Sequence, residues 1–267
     1  MTTITYAVRD SRTMLRRNLR HMMRYPSLTL MLVGIPIVFL LLFVYVFGGT
    51  LGAGLGGASS GPAGGRAEYA NYVAPAILLM TVAGAVQGTA ISVSMDMAEG
   101  IIDRFRTMAI SRASVLTGHV VGSMIQTLAS TTVVIGVALL VGFRPTAGLP
   151  EWIATIGVLA TVALALSWLS VAFGLVAKSP ETASNLPMFL VLLPFLGSGF
   201  VPTDSMPAAL RWFAEYQPFT PIIETLRGLL LGTPIGGSAV LAVAWSAGIA
   251  LLSYLWARGL FNRVRVR

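Results

Sequence analysis

The chain of 267 residues has no cysteine. That excludes disulfides, thiolate zinc sites and a cysteine nucleophile. Charge is nearly as scarce: Asp, Glu, Lys and Arg make up 10% of the residues, against roughly 25% in soluble domains. Lysine occurs once, as Lys178, beside 17 arginines. Histidine occurs twice, as His21 and His119, and no HExxH pair is present, so an intramembrane metallopeptidase is not supported. His119 falls in the first turn of an apolar run with no second ligand near it in sequence, which reads as an interfacial histidine. A phosphate-binding loop is also missing. Ala172-Phe-Gly-Leu-Val-Ala177-Lys178-Ser179 comes nearest, but alanine stands at both required glycine positions. A Cβ there crowds the backbone that must wrap the phosphates. Gly52-Ala-Gly54-Leu-Gly-Gly57 has the G-x-G-x-x-G form, yet no strand precedes it and no βαβ unit surrounds it.

What the chain has in abundance is apolar sequence. Hydrophobic residues make up 55%, and mean hydropathy is +0.80. Runs of 20 residues or so suffice to cross about 30 Å of hydrocarbon. The expected fold is all-α and polytopic, with six transmembrane helices at about 28–47, 72–93, 116–141, 152–176, 186–200 and 238–256. Residues 1–26 precede the first span, and 27–267 form a single transmembrane domain. The first run is too long for the apolar region of a signal peptide. Gly34 and Pro36 are expected to bend span one. Gly48 to Gly65 holds nine glycines in 18 residues and is expected to be a flexible loop. Gly84-x-x-x-Gly88 and Gly118-x-x-x-Gly122 allow close helix approach, and Gln87 needs a partner across a helix interface. Thr81, Gln87 and Thr89 are candidates for a substrate route; plain packing is the alternative. Span five is interrupted by Pro187, Pro194, Gly197 and Gly199. The prolines of 201–234 leave room for short helices at Ala208 to Tyr216 and Ile222 to Leu231, the latter with Glu224 and Arg227 at i, i+3. Irregular backbone of this kind is tolerated in a membrane only where protein or water covers it.

Two charged segments stand out. Arg9, Arg12, Arg16, Arg20 and Arg24 form one basic stripe on a helix that Pro26 ends, the pattern of an interfacial helix with its arginines at anionic headgroups. Met97 to Arg112, MAEGIIDRFRTMAISR, is the one internal segment dense in charge. Glu99, Asp103 and Arg106 share one helical face, and Ile101, Ile102, Phe105 and Met108 share another. Such a helix at a membrane surface is either a docking handle for a soluble partner or a solvated loop with stop-transfer charges. Six spans put both termini on one side. Lys and Arg on that side number 14: six in the N-terminal segment, three at 95–114, one at 177–185 and four in the tail. The other side has four, Arg66, Arg144, Arg211 and Arg227. The positive-inside rule then makes the termini and the 97–112 segment cytoplasmic in a multi-pass cell-membrane protein. Orientation accounts for the net charge of +8, and no nucleic-acid partner is needed.

The sequence resembles the permease subunits of type-2 ABC exporters, in the daunorubicin-resistance (DrrB-like) group. Glu99-Gly100-Ile101-Ile102-Asp103-Arg104-Phe105-Arg106 with Ile110-Ser111-Arg112 resembles that family's ATPase-coupling helix; Ala109 departs from a proline common there. Phe200-Val-Pro202-Thr-Asp204-Ser-Met206-Pro207, Gln217-Pro218-Phe-Thr-Pro221 and Leu226-Arg227-Gly-Leu-Leu-Leu231-Gly232 resemble its external re-entrant helical hairpin between spans five and six. The basic N-terminal helix (Arg9, Arg12, Arg16, Arg20) matches less specifically. The resemblance implies a transport subunit that is not itself an enzyme. It implies two cytoplasmic ATPase subunits carrying ATP and Mg, a second permease (identical or related) and alternating access for an amphipathic or lipophilic drug, antibiotic or lipid. No cofactor or metal is expected in this chain. The rivals are an ion-coupled secondary transporter and an exporter of polysaccharide or glycolipid. The first needs titratable groups near the midplane, and the middle of each expected span has none. The second usually needs aromatic platforms and many hydrogen bonds.

Overall fold

A computed structural model describes residues 26–54, 61–100 and 112–263. The described residues are helical, with no strand among them. Helix α1 (Pro26–Leu41) runs through a π-helical turn, Leu42–Phe47, into α2 (Gly48–Gly54). Next come α3 (Gly61–Ala98), α4 (Arg112–Val141) and α5 (Leu149–Val176). A broken stretch follows: α6 (Pro180–Asn185), α7 (Met188–Leu192) and a 3-10 turn at Leu193–Leu196. Then come a 3-10 turn at Thr203–Ser205, α8 (Ala208–Tyr216), α9 (Phe219–Leu231) and α10 (Ser238–Arg263).

Five of these stretches are long and apolar enough to cross a membrane: Leu30–Gly52, Gly65–Ala98, Leu116–Val141, Leu149–Val176 and Ser238–Phe261. They overlap five of the six expected spans. The sixth, 186–200, is not one helix. Pro187 and Pro194 each remove a backbone donor, and the chain answers with short helices and a tight turn. Pro36 lies inside the α-helical stretch of α1, and the departure from α geometry comes later, at Leu42–Phe47.

The glycine-rich stretch also differs from the expected loop. Gly48–Gly54 is helical, and α3 begins at Gly61; residues 55–60 lie outside the described residues. The reason is packing. A Cβ built on Gly52 would fall 1.8 Å from the carbonyl oxygen of Gly65, so two glycine surfaces meet where no side chain fits. Local flexibility gives way to tertiary contact.

Helix α3 is the central element. It packs against α1, α2, α4, α5 and α9, and its Tyr69, Val73, Ile77, Leu79 and Ala83 are almost wholly buried. By contrast, Leu30 and Val38 on α1 and Val240 and Leu252 on α10 stand open, as lipid-facing surfaces do. Gly84 lets α1 approach, with Leu32 Cδ1 3.5 Å from the position of a Cβ, whereas Gly88 has open space around it. A ring cluster ties α1 and its π turn to the broken stretch: Phe195–Phe200 at 4.4 Å, Phe43–Phe200 at 4.5 Å and Phe39–Phe195 at 5.4 Å between centroids.

Candidate coupling and gating sites

At one end of the bundle α3 stops at Ala98. Glu99 N–H donates to Met95 O and Gly100 N–H to Met97 O, and Gly100 takes φ +66°, a left-handed conformation that glycine adopts without a Cβ penalty. Glu99 is exposed. So Glu99 and Gly100 form the turn that ends α3. Ile101, Ile102, Asp103, Arg104, Phe105 and Arg106 lie outside the described residues, as do Arg9, Arg12, Arg16 and Arg20.

Sequence reasoning missed what sits beside that turn. Asp96 and His119 are both buried, with Oδ2 and Nε2 3.1 Å apart. His119 is therefore not a lone interfacial histidine. Its partner is 23 residues away, on the last turn of α3, and the pair joins α3 to α4 next to the charged segment. His119 Nδ1 is buried without a partner among the described residues. The sequence offers only an Asp and a His at adjoining span ends, with nothing local to mark them as a pair.

Deeper in the bundle, Thr89 Oγ1 donates to Ser123 Oγ at 2.7 Å, and Ser167 Oγ to the same oxygen at 3.1 Å, linking α3, α4 and α5. Ser170 Oγ bonds to Val86 O. Gly174 abuts Ala90 O and Val93, where a Cβ would sit at 2.7 Å from each. Gln87 finds its cross-helix partner: Nε2 donates to Ser184 O at 3.1 Å. Thr81 is fully buried and turns its hydroxyl back to Ile77 O. Of the three candidate route residues, Gln87 is half-buried, while Thr81 and Thr89 are buried within protein contacts.

The Lys178 segment does not form a phosphate cradle. Helix α5 continues to Val176, Ala177 is extended (ψ 136°), and Ser179 caps α6 by accepting from Thr182 N. The same Ser179 side chain hydrogen-bonds to the exposed Glu181 and lowers its carboxyl pKa.

At the opposite end of the bundle is a second polar cluster. Arg227 on α9 is 7% exposed. Its Nη2 donates to Ser198 O at 2.9 Å and to Tyr72 O at 3.1 Å; its Nη1 donates to Glu224 Oε1 at 2.6 Å. The guanidinium carbon lies 3.9 Å from the Tyr72 ring centroid. Tyr72 Oη donates to Ser198 O at 2.9 Å, and Tyr69 Oη to Phe200 O at 3.1 Å. The carbonyls left free by the broken stretch are thus satisfied by α3 and α9, as a low-dielectric setting demands.

A sequence model of the ABC-2 type transporter family matches residues 9–231. The chain belongs to that family. The match runs from the basic N-terminal segment through α9. The chain is 28% identical over 245 residues to the daunorubicin resistance ABC transporter permease protein DrrB1 of Streptomyces coeruleorubidus, covering 91% of this chain and 82% of that protein. It is 25% identical over 177 residues to the probable doxorubicin resistance ABC transporter permease protein DrrC of Mycobacterium tuberculosis (strain H37Rv), covering 65% of this chain and 64% of that one. Membership makes the chain the membrane transport subunit of an ABC transporter, a multi-pass cell-membrane protein whose ATPase is a separate subunit. The chain itself is not an enzyme.

Proposed function

We propose that this ABC-2 permease exports an amphipathic or lipophilic compound, a drug-like molecule or a lipid, from the cytoplasm or inner leaflet. The supporting observation is its likeness along 91% of its length to a permease named for daunorubicin resistance. Two permeases, identical or related, work above two ATPase subunits that hold ATP and Mg.

The proposed topology has six crossings, with both termini cytoplasmic. Geometry supports the broken stretch as the fifth. Its start meets α3 at Gln87, through Ser184. Its end meets α3 at Tyr69, through Phe200. Those two α3 positions are eighteen residues apart, about 27 Å at 1.5 Å per residue, close to the ~30 Å of a bilayer core. Residues 1–26 are the cytoplasmic interface helix, with Arg9, Arg12, Arg16 and Arg20 toward headgroups or the ATPase, and 27–267 the transmembrane domain. Helices α8 and α9 form the external hairpin.

In the proposed cycle, ATP binding closes the ATPase pair, and the segment Glu99, Gly100, Ile101, Ile102, Asp103, Arg104, Phe105 and Arg106 moves with it. The inward-facing state loses stability, and the population shifts outward. The route follows α3 past Gln87, with Thr81 and Thr89 on the same helix. The test is uptake of daunorubicin into inverted membrane vesicles holding the permease and its ATPase. Uptake is expected to need ATP hydrolysis. Uptake driven by a proton gradient without ATP would overturn the reading.

A further inference from the structure

Helix α8 presents an open face. Of its nine residues, only Ala214 is buried. Trp212 is 66% and Tyr216 65% exposed, with Phe213 and Leu210 also open. Trp212 is the most exposed tryptophan of the chain, and its ring lies 5.4 Å from that of Tyr216, one turn on.

The polar residues of α8 are segregated from these rings. Arg211 and Glu215 share one edge of the helix. Arg211 Nε donates to Glu215 Oε1, and its Nη2 meets Asp204 Oδ1, each at 2.7 Å. Those two carboxylates hold the guanidinium in its charged form more firmly than usual. With its charge matched by two acids, Arg211 leaves the helix no net attraction for anionic lipid.

The height of α8 on the bundle is fixed by its neighbours. It packs against the turn at Leu193–Leu196, and Gln217, just past its end, donates from Nε2 to Leu193 O at 3.0 Å. Thr220, next to it, binds Ala214 O and receives Ser198 N–H. The same end carries the α4–α5 loop, where Arg144 N–H donates to Asn71 Oδ1 and Thr146 N–H to Leu230 O. Arg66, Glu68, Arg144 and Glu151 are exposed there, so this level is a boundary with water. Leu196, in the turn that α8 packs against, and Leu192 beside it are exposed as well. The open rings of α8 therefore continue an apolar surface that rises to the water boundary, which is where Trp and Tyr are favoured in a bilayer.

We propose that α8 is a lipid-binding anchor. It lies in the headgroup layer with Trp212, Tyr216 and Phe213 in the acyl boundary and Arg211, Glu215 and Asp204 toward water. On the topology proposed above this is the outer leaflet. The proposal requires only that the chain span a membrane, and it holds whatever the cargo.

The cysteine-free chain suits the test. Trp212→Cys, Tyr216→Cys and Ser205→Cys are each spin-labelled in the full permease–ATPase complex in phosphatidylcholine nanodiscs. Collision rates with oxygen and with a water-soluble nickel chelate are then compared. The oxygen-to-nickel ratio is expected to be severalfold higher at 212 and 216 than at 205. Equal ratios at all three sites would place α8 in water and overturn the anchor. Protection from both relaxants would mean that protein, such as a second copy of the chain, covers the face, and would overturn it equally. A measurement without cysteine substitution guards against local misfolding. Lipid brominated near the headgroup is expected to quench the wild-type complex more strongly than the Trp212→Phe complex, and equal quenching would count against the anchor. Neither readout depends on transport, so an error about cargo or energy source leaves the outcome interpretable.

Discussion

Replacing Arg227 by alanine is expected to loosen the end of the bundle where α3, the broken stretch and α9 meet. The side chain gives two hydrogen bonds to backbone carbonyls, of Tyr72 and Ser198, and one to Glu224. Hydrogen bonds to a charged group contribute about 1.5–3 kcal/mol net each. Against them stands the cost of burying the guanidinium, several kcal/mol after relaxation, and its Nε has no partner among the described residues. The net worth of the intact cluster is therefore small. Truncation differs, because it removes a charged donor from the Tyr72 and Ser198 carbonyls, of which Ser198 O keeps Tyr72 Oη, and leaves Glu224 without its cation. Breaking a buried charged pair in this way costs about 3–5 kcal/mol. Glu224 is 34% exposed at its side chain, so its share is softened by solvent and the lower end of that range applies. Arg227→Lys keeps the charge but not the fork that reaches two carbonyls and an acid together, so an intermediate loss is expected. Glu224→Gln keeps an acceptor oxygen but takes the counter-charge from a buried guanidinium, and is expected to cost less than Arg227→Ala because the two carbonyl bonds remain. Reversible unfolding in mixed micelles, followed by tryptophan fluorescence, measures all three. Arg227→Ala within about 1 kcal/mol of wild type would show that burial cost cancels the contacts, and the cluster would not hold this end together.

Three further outcomes are expected. Glu99→Ala with Asp103→Ala is expected to leave insertion intact, since Glu99 is exposed and surface ion pairs contribute about 0–1 kcal/mol, while transport falls steeply and ATPase activity stops responding to drug; normal drug-stimulated transport would return the segment to a solvated loop. Single cysteines at Ser60 and Ser205 are expected to label from outside intact cells and one at Ser179 is not, and labelling at Ser179 would sink the six-crossing topology. Gly174→Val is expected to destabilise the bundle by about 1–3 kcal/mol, because even a Cβ would meet Ala90 O and Val93 at 2.7 Å; unchanged unfolding would mean that α3 and α5 separate at little cost.

What could be read from sequence was what depends on neighbours along the chain. Pro207 and the Gln217-Pro218 pair bracket Ala208–Tyr216, and the helix has those bounds. Pro187 and Pro194 announce a crossing that cannot be one helix. Gln87, a polar side chain in an apolar run, called for a partner and has one. The glycine-rich stretch was read wrongly at Gly48–Gly54 for an instructive reason. Glycine raises chain entropy, but it also permits the closest backbone approach, and at Gly52 and Gly65 the second property prevails.

What could not be read was long-range pairing of polar groups. Arg227 was expected at i, i+3 from Glu224, and it pairs with it; it also reaches Tyr72, 155 residues earlier. Nothing local marks Tyr72 as its partner, because tyrosines near span ends are common at membrane interfaces. Asp96 and His119 flank the charged segment on two different helices, and only their register across the α3–α4 crossing brings them to 3.1 Å. Both clusters share α3, the helix most enclosed by the others. In a membrane, apolar burial does not distinguish a lipid-facing helix from a central one, since tails and leucines are equally apolar. Polar contacts do distinguish them. Helix α3 carries Tyr69, Tyr72, Gln87, Thr89 and Asp96, each bonded to another element. A side chain with a partner on another element cannot turn to lipid without leaving that partner unsatisfied. The polar residues of α3 therefore hold it at the centre of the bundle, between the turn at Gly100 and the Arg227 cluster at the far end.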